Sequence, residues 1–370
     1  MFGDKPLFSR RQLNILMVAV TLAIALLANL DDDSGSRSAA EVPTERAEVA
    51  GVPVYWSSRH RQQPSTLINL ALPAEAKPQR LYAVLQELTG RLPAEVKALR
   101  YPDRWTVLLP GAADLASTLS ALAAPLPDNE WQTRLERQRT QRYLQGALPA
   151  QALTETGGNA AAQAANLHRR LLSRAQLSLS LSGTELNPAS LEQALMRLPA
   201  GEPWPARSEM PEERGPGLAL PGRHSPDYPE TALTARLLTI LAEDRAAVEF
   251  IPGGLHSRLR IRPLQGSSDS AFKTLRQRLE TAPERQLEGL QQQFLSDLQA
   301  RLEDPEGFAY QQGVQAFYRL PLDYWPGFVA RIEALSASAL TQRALDWLDR
   351  AEQSESTDDP KKPAPGTAPP

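Results

Sequence analysis

The 370-residue sequence contains no cysteine and only four histidines. Without cysteine there can be no disulfide, iron–sulfur cluster, thiol nucleophile or lipid-modified N-terminal cysteine. A hydrolytic zinc site needs three protein ligands, two of which usually lie one helical turn apart. The two histidines closest in sequence are 32 residues apart, so the sequence predicts no metal site and places every histidine in a loop or at the surface. The four are His60, His168, His224 and His256.

Sequence motifs of other enzyme classes are also missing. There is no G-x-S-x-G nucleophile elbow, no phosphate-binding G-x-x-x-x-G-K-[ST] loop and no dinucleotide-binding G-x-G-x-x-G. Ser270 and Lys273 match Ser-x-x-Lys, but the companion motifs of that class are absent. Aromatic residues make up 6% of the chain and the net charge is −3, which gives no basis for nucleic-acid binding. The sequence therefore predicts no catalytic residues and no cofactor.

One long uncharged stretch is present near the N-terminus. Leu13 to Leu30 has no charged residue and is long enough to cross a bilayer as a helix. Basic residues precede it and three aspartates follow it, which predicts a cytoplasmic N-terminus. A cleaved signal peptide is the alternative, but its apolar region would be shorter and would end in a small-x-small site. We expect a single-pass anchor in a bacterial inner membrane, with the bulk of the chain in the periplasm.

Composition and periodicity divide the rest of the chain into two halves. Residues 203–229 contain seven prolines and no sustained periodicity, which is typical of a domain boundary. The predicted organisation is a cytoplasmic N-terminus (1–12), the anchor (13–30), a linker (31–47), a first α+β domain (48–202), a Pro-rich linker (203–229), a second, smaller α+β domain (230–352) and a disordered tail (353–370).

Each half mixes strands with helices. LSLSLSG over 177–183 alternates strictly, as a half-buried strand does. Apolar residues recur at helical spacing over 79–91, and 95–109 and 246–262 have the pattern of hairpins. The predicted class is α+β, with mixed or antiparallel sheets and packed helices, rather than a regular parallel array.

This order of elements resembles a shortened repeat of the pitrilysin/insulinase family of zinc peptidases. GVPVYWSSRHRQQPSTLINLAL is similar to that family's first strand pair, and LSLSLSGTELNPASLEQALMRLPAGEPW to its strand followed by a Leu-Pro-terminated helix. WPGFVARIEALSASALTQRALDWLD is similar to its closing helices. The resemblance covers residues 48–350 and implies two peptidase-like α+β halves.

The resemblance also implies that the catalytic motif is lost. Active members of the family carry H-x-x-E-H on the helix after the second strand. In RLYAVLQELTG, Ala83 and Glu87 stand where the two histidines belong, and Gln86 stands where the general-base glutamate belongs. Alanine cannot ligate zinc, and glutamine cannot accept a proton from water.

A second implied site lies in the other half. The family carries an arginine and a tyrosine there that assist the substrate carbonyl. In ILAEDRAAVEFIPGG, Arg245 is available and Phe250 is the nearest aromatic residue, so these two are candidate contacts for a peptide in a groove.

The sequence thus predicts a non-catalytic, membrane-anchored, periplasm-facing peptidase-like protein. It would bind a peptide or a protein partner, for which an active peptidase subunit of the same fold is a candidate. One alternative is an envelope scaffold without a peptide groove, which would use the broad apolar face predicted over 283–303. The other alternative is an active peptidase subunit.

Overall fold

The computed structural model describes residues 44–74, 76–111, 114–144, 159–204, 217–243, 245–264 and 268–357. The predicted anchor over 13–30 lies outside these ranges. Among the helices within them, none has the length and apolar character that a membrane crossing requires.

The order of elements alternates short runs of strands with helices. The first part contains β1 (Glu45–Val49), β2 (Val52–Ser57), β3 (Ser65–Ala71), α1 (Pro78–Gly90), β4 (Lys97–Arg100), β5 (Arg104–Pro110), α2 (Leu115–Ala123), α3 (Asp128–Leu144), α4 (Ala160–Leu171), β6 (Leu177–Ser182) and α5 (Pro188–Leu195). The second part contains β7 (Leu218–Pro221), α6 (Tyr228–Ala242), β8 (Ala246–Ile251), β9 (His256–Pro263), α7 (Ser268–Thr281), α8 (Glu284–Glu303), α9 (Pro305–Tyr318), α10 (Tyr324–Glu333) and α11 (Ala337–Thr357).

The strands form two sheets. The first has six strands in the order β1-β2-β6-β3-β5-β4, and the second has three in the order β7-β9-β8. Strands β2 and β6 run parallel, and all other neighbouring pairs are antiparallel. The predicted α+β class with mixed and antiparallel sheets is therefore confirmed.

The two faces of the six-stranded sheet differ in chemistry, and β6 shows why. Its side chains alternate between the faces because successive residues of a strand point to opposite sides. The leucines join the main apolar core, which the sheet shares with α1, α3, α4 and α5. The serines are buried on the opposite face. The leucines are Leu177, Leu179 and Leu181, and the serines are Ser178, Ser180 and Ser182.

Helix α9 covers the serine-bearing face, although it comes from the second part of the chain. It contacts β6, β3 and β2. A Cβ at Gly313 would come within 2.1 Å of Leu67 Cδ2, so any larger residue at this crossing would force Leu67 or the helix to shift. Asn69 Nδ2 donates to Gly313 O at 3.0 Å, and Thr106 Oγ1 donates to Asn69 Oδ1 at 2.8 Å. Small side chains thus allow a close approach. Asn69 and Thr106 are hydrogen-bonded there, whereas the buried hydroxyls of Ser178, Ser180 and Ser182 have no partner among the described residues.

A partly buried ionic cluster, the Asp103 cluster, fixes the C-terminal end of α9. It consists of Asp103, Arg104 and Tyr318. Arg104 Nη1 donates to Asp103 Oδ1 at 3.3 Å and to Tyr318 Oη at 3.2 Å, and Tyr318 Oη donates to Asp103 Oδ2. Burial, and after it the charge of Asp103, raises the pKa of Tyr318, which keeps the phenol protonated as a donor.

Secondary structure extends into three segments that were predicted as linkers or tail. The Pro-rich linker over 203–229 includes β7 and the start of α6, because Pro221 ends a strand and Pro229 lies in the first turn of a helix. Strand β1 begins at Glu45, inside the predicted linker over 31–47. Helix α11 continues to Thr357, beyond the predicted start of the tail at 353. The rest of that tail lies outside the described residues.

Candidate functional site

The three positions of the degenerate motif lie together on α1. Pro78 occupies the first turn of this helix, and an apolar stripe packs into the main core. Ala83, Gln86 and Glu87 face α3 and line a cleft of about 340 Å³ between the two helices. The helix predicted over 79–91 is thus present.

Glu87 is a buried carboxylate that is fully engaged by arginines. Its side chain is 7% exposed. Arg91 Nε donates to Glu87 Oε1 at 2.8 Å from the next turn of α1, and Arg134 Nη1 lies 2.5 Å from Glu87 Oε2. A carboxylate in this setting needs such partners because an unpaired buried charge costs several kcal/mol.

Arg91 also ties α1 to the end of α2. Its Nη1 donates to the carbonyls of Leu122 at 3.0 Å and Ala124 at 2.5 Å. These carbonyls belong to the last turn of α2, where backbone acceptors lack helical partners and attract cations. We call the group Glu87, Arg91 and Arg134 the Glu87 cluster.

His168 lies beside this cluster and is buried, so its predicted surface position is wrong. It is 2% exposed, and its ring packs against Trp131 at 5.6 Å between centroids. Its Nε2 is 2.9 Å from Leu122 O. A carbonyl only accepts, so Nε2 carries the proton. Burial lowers the pKa of His168, and the charge of Arg91 lowers it further.

The Glu87 cluster offers no metal site and no general base. Both oxygens of Glu87 already accept from guanidinium groups, which occupy the space that a cation would need. Across the described ranges, no three His, Cys, Asp or Glu side chains are grouped so that they could hold a metal ion. Gln86, which the resemblance aligns with the general base, has an amide side chain, which cannot accept a proton as a carboxylate does.

The two residues proposed for the second site are separated. Arg245 is exposed and directly precedes β8, whereas Phe250 lies near the other end of that strand. At about 3.3 Å per residue they are some 16 Å apart along the strand. Phe250 instead lines a different cleft, together with Arg223. The sequence offered no signal for Arg223, because it stands in a Pro-rich stretch without periodicity.

A pH dependence of stability should follow from His168. Because its pKa is below 6.5 in the folded state, the unfolded chain binds a proton more readily. The free energy of unfolding is therefore expected to fall as the pH drops from 6.5 toward the folded-state pKa, by at most about 1.4 kcal/mol per pH unit.

Denaturant unfolding between pH 7.5 and 5 measures this effect. His168→Gln should flatten the profile below pH 6.5, and His256→Gln, at an exposed position, should leave it unchanged. An unaltered slope in His168→Gln would show that the other groups, including His60, account for the whole dependence.

Comparison with solved structures identifies the class of fold. The inactive domain of an M16 peptidase from Pseudomonas fluorescens has 15% sequence identity, with a TM-score of 0.59 over 83% of this chain and 95% of that one. A protease from Helicobacter pylori has 10% identity and a TM-score of 0.60 over 83% and 96%. The chain therefore has the fold of the M16 peptidases, which confirms the resemblance to pitrilysin-like proteins.

A further match is to a longer chain, of which this fold covers about half. The periplasmic protease PqqL from Escherichia coli matches with 11% identity and a TM-score of 0.54, over 84% of this chain but 46% of that one. Comparisons with models of known protein families and with curated proteins give no match.

Proposed function

We propose that this protein is a non-catalytic, peptidase-like subunit, anchored in a bacterial inner membrane and facing the periplasm, that binds a protein partner or a peptide. The observation that supports the loss of catalysis is the Glu87 cluster. A carboxylate paired with two arginines stands where the H-x-x-E-H helix would present its second zinc ligand. The fold of an inactive M16 domain is compatible with this role.

A protein of the same fold is the favoured partner. The described part of the chain matches about half of PqqL, so a complete two-part assembly of that kind would need a second, similar unit. An active zinc peptidase subunit would supply it.

The scaffold alternative loses its main support. It relied on the apolar face predicted over 283–303, which corresponds to α8. That helix packs against α6, α9, α10 and α11, and Leu287 and Leu298 are buried. Leu290, Phe294 and Leu295 are half-buried, so much of the face is used within the chain.

The partner is tested by crosslinking and affinity purification of the full-length, membrane-extracted protein, followed by mass spectrometry. We expect a zinc peptidase of the same fold in near-equal amount. The purified chain alone is expected to contain substoichiometric zinc and to cleave no peptide. Stoichiometric zinc with peptidase activity would refute the proposal. Recovery of only division, secretion or wall-synthesis proteins would show that the partner is one of these and not a peptidase.

A further inference from the structure

A second cleft, away from the Glu87 cluster, combines arginines with aromatic rings. We call it the Arg223 cleft. It has a volume of about 440 Å³ and lies among α6, α8, α10 and the end of β8. Its walls include five aromatic side chains: Tyr228, Phe250, Phe294, Trp325 and Phe328.

The aromatic wall is rigidly packed. The rings of Phe294 and Phe328 are stacked with centroids 6.3 Å apart, and Trp325 and Tyr228 contact Phe328 at 5.7 and 6.2 Å. Phe328 and Tyr228 are almost fully buried, so little conformational freedom remains to be lost on binding. Such a wall suits a flat or apolar group.

The cleft carries an excess of positive charge. Its lining residues include Arg223, Arg236 and Arg301, against one carboxylate, Asp297. Arg236 and Arg301 are exposed at its rim, whereas Arg223 lies deeper. An anion in the cleft would be attracted from the rim inward.

Arg223 is surrounded by tyrosines, and the hydroxyl of Tyr324 interacts with its guanidinium. Within the described residues no carboxylate forms an ion pair with it, and its Nε is buried without a hydrogen-bond acceptor. Its guanidinium lies 4.9 Å from the Tyr228 ring and 5.4 Å from the Tyr318 ring. Aromatic faces stabilise a cation only partly, and the unpaired Nε–H remains a donor for a carboxylate.

A second donor in the same wall is also unsatisfied. Trp325 is 8% exposed, and its indole Nε1–H has no acceptor. Buried donors of this kind are normally paired. Two orphaned donors in one aromatic, positively charged cleft indicate an acceptor that comes from outside the chain.

We propose that the Arg223 cleft binds a carboxylate attached to an apolar or aromatic group. Two sources share this chemistry: the C-terminus of a peptide that ends in a large apolar residue, and a free aromatic carboxylic acid. Arg223 pairs with the carboxylate, and the Phe294–Phe328 wall holds the attached group. The site is independent of the Glu87 cluster and of any peptidase partner.

The test uses the full-length protein and matched probes that differ only in charge. Calorimetric titration with Ala-Ala-Phe bearing a free C-terminus is compared with titration of its C-terminal amide. We expect the acid to bind at least about tenfold more tightly, since it alone can form the charge-assisted pair. Binding of 3-phenylpropanoate as tightly as the peptide acid would assign a small acid as ligand, and weaker binding would assign a peptide end.

Variants locate the site. Arg223→Gln should abolish the preference for the acid, and Arg301→Ala at the rim should weaken acid binding about threefold. Arg285→Ala, exposed near the far end of the same helix as Arg301, should have no effect. Should Arg223→Gln fail to fold, the Arg301→Ala variant and the acid–amide comparison still test whether the cleft binds a carboxylate. Equal affinity for acid and amide, or no binding of either at millimolar concentration, would overturn the proposal.

Discussion

Replacing Gly313 by valine is expected to lower the free energy of unfolding by about 1–3 kcal/mol. The new Cβ would lie 2.1 Å from Leu67 Cδ2 and 3.3 Å from its Cγ. Leu67 is 1% exposed, so either its side chain must repack within the core or α9 must lift from the sheet. Lifting would also stretch the bond from Asn69 to the Gly313 carbonyl.

Gly289→Val is the matched control. Gly289 is also inside a helix, but nothing lies within 4 Å of an added Cβ. Valine there should change stability by a few tenths of a kcal/mol in the favourable direction, because it has a higher helix propensity than glycine. Chemical denaturation of both variants measures the difference, and equal effects would mean that the crossing of α9 over the sheet is not tight.

Removal of the Asp103 carboxylate should lower the free energy of unfolding about as much as Gly313→Val does. Asp103→Ala leaves Arg104, which is 6% exposed, and the hydroxyl of Tyr318 without their shared acceptor. Loss of one partner from a buried ion pair typically costs about 3–5 kcal/mol. Stacking of Arg104 on Tyr101, at 4.0 Å, moderates the loss, so we expect about 3 kcal/mol.

An exposed ion pair provides the comparison. Glu185→Ala removes the partner of Arg61 in a pair whose side chains are 67% and 82% exposed, and it should cost less than about 0.5 kcal/mol. A double-mutant cycle of Asp103→Ala with Tyr318→Phe should show coupling above about 1 kcal/mol. Additive effects would show that the tyrosine hydroxyl does not act through Asp103.

Periodicity predicted the elements well but not how they meet. The alternation of LSLSLS located β6 and its leucine face correctly. Nothing in that pattern indicates that the serine face is covered by a helix from the other half. In α9, Gln312 and Gln315 have the character of solvent-facing residues, yet each is 1% exposed. Polar side chains can be buried when distant elements supply their hydrogen bonds, and the local sequence does not contain that information.

The same reason limited the prediction of the sites. Glu87 was located on the correct helix, but the partner Arg134 comes from α3, whose charged face has the pattern of a solvated surface. Arg223 stands between β7 and α6 and acquires its aromatic surroundings only through tertiary packing. The prediction that every histidine lies in a loop or at the surface is wrong for His168, because a neutral imidazole can be buried when one carbonyl accepts its proton.

The position of α9 also governs the order in which the protein can fold during synthesis. Strand β6 ends at Ser182, whereas α9 begins at Pro305, and the hydroxyl of Tyr55 is paired with the carbonyl of Leu320, 265 residues later. A nascent chain that has delivered all six strands of the first sheet still presents one of its faces, including Leu67 and Leu108, to the surroundings. The first part of this chain is therefore expected to complete its packing only after α9 has been synthesised.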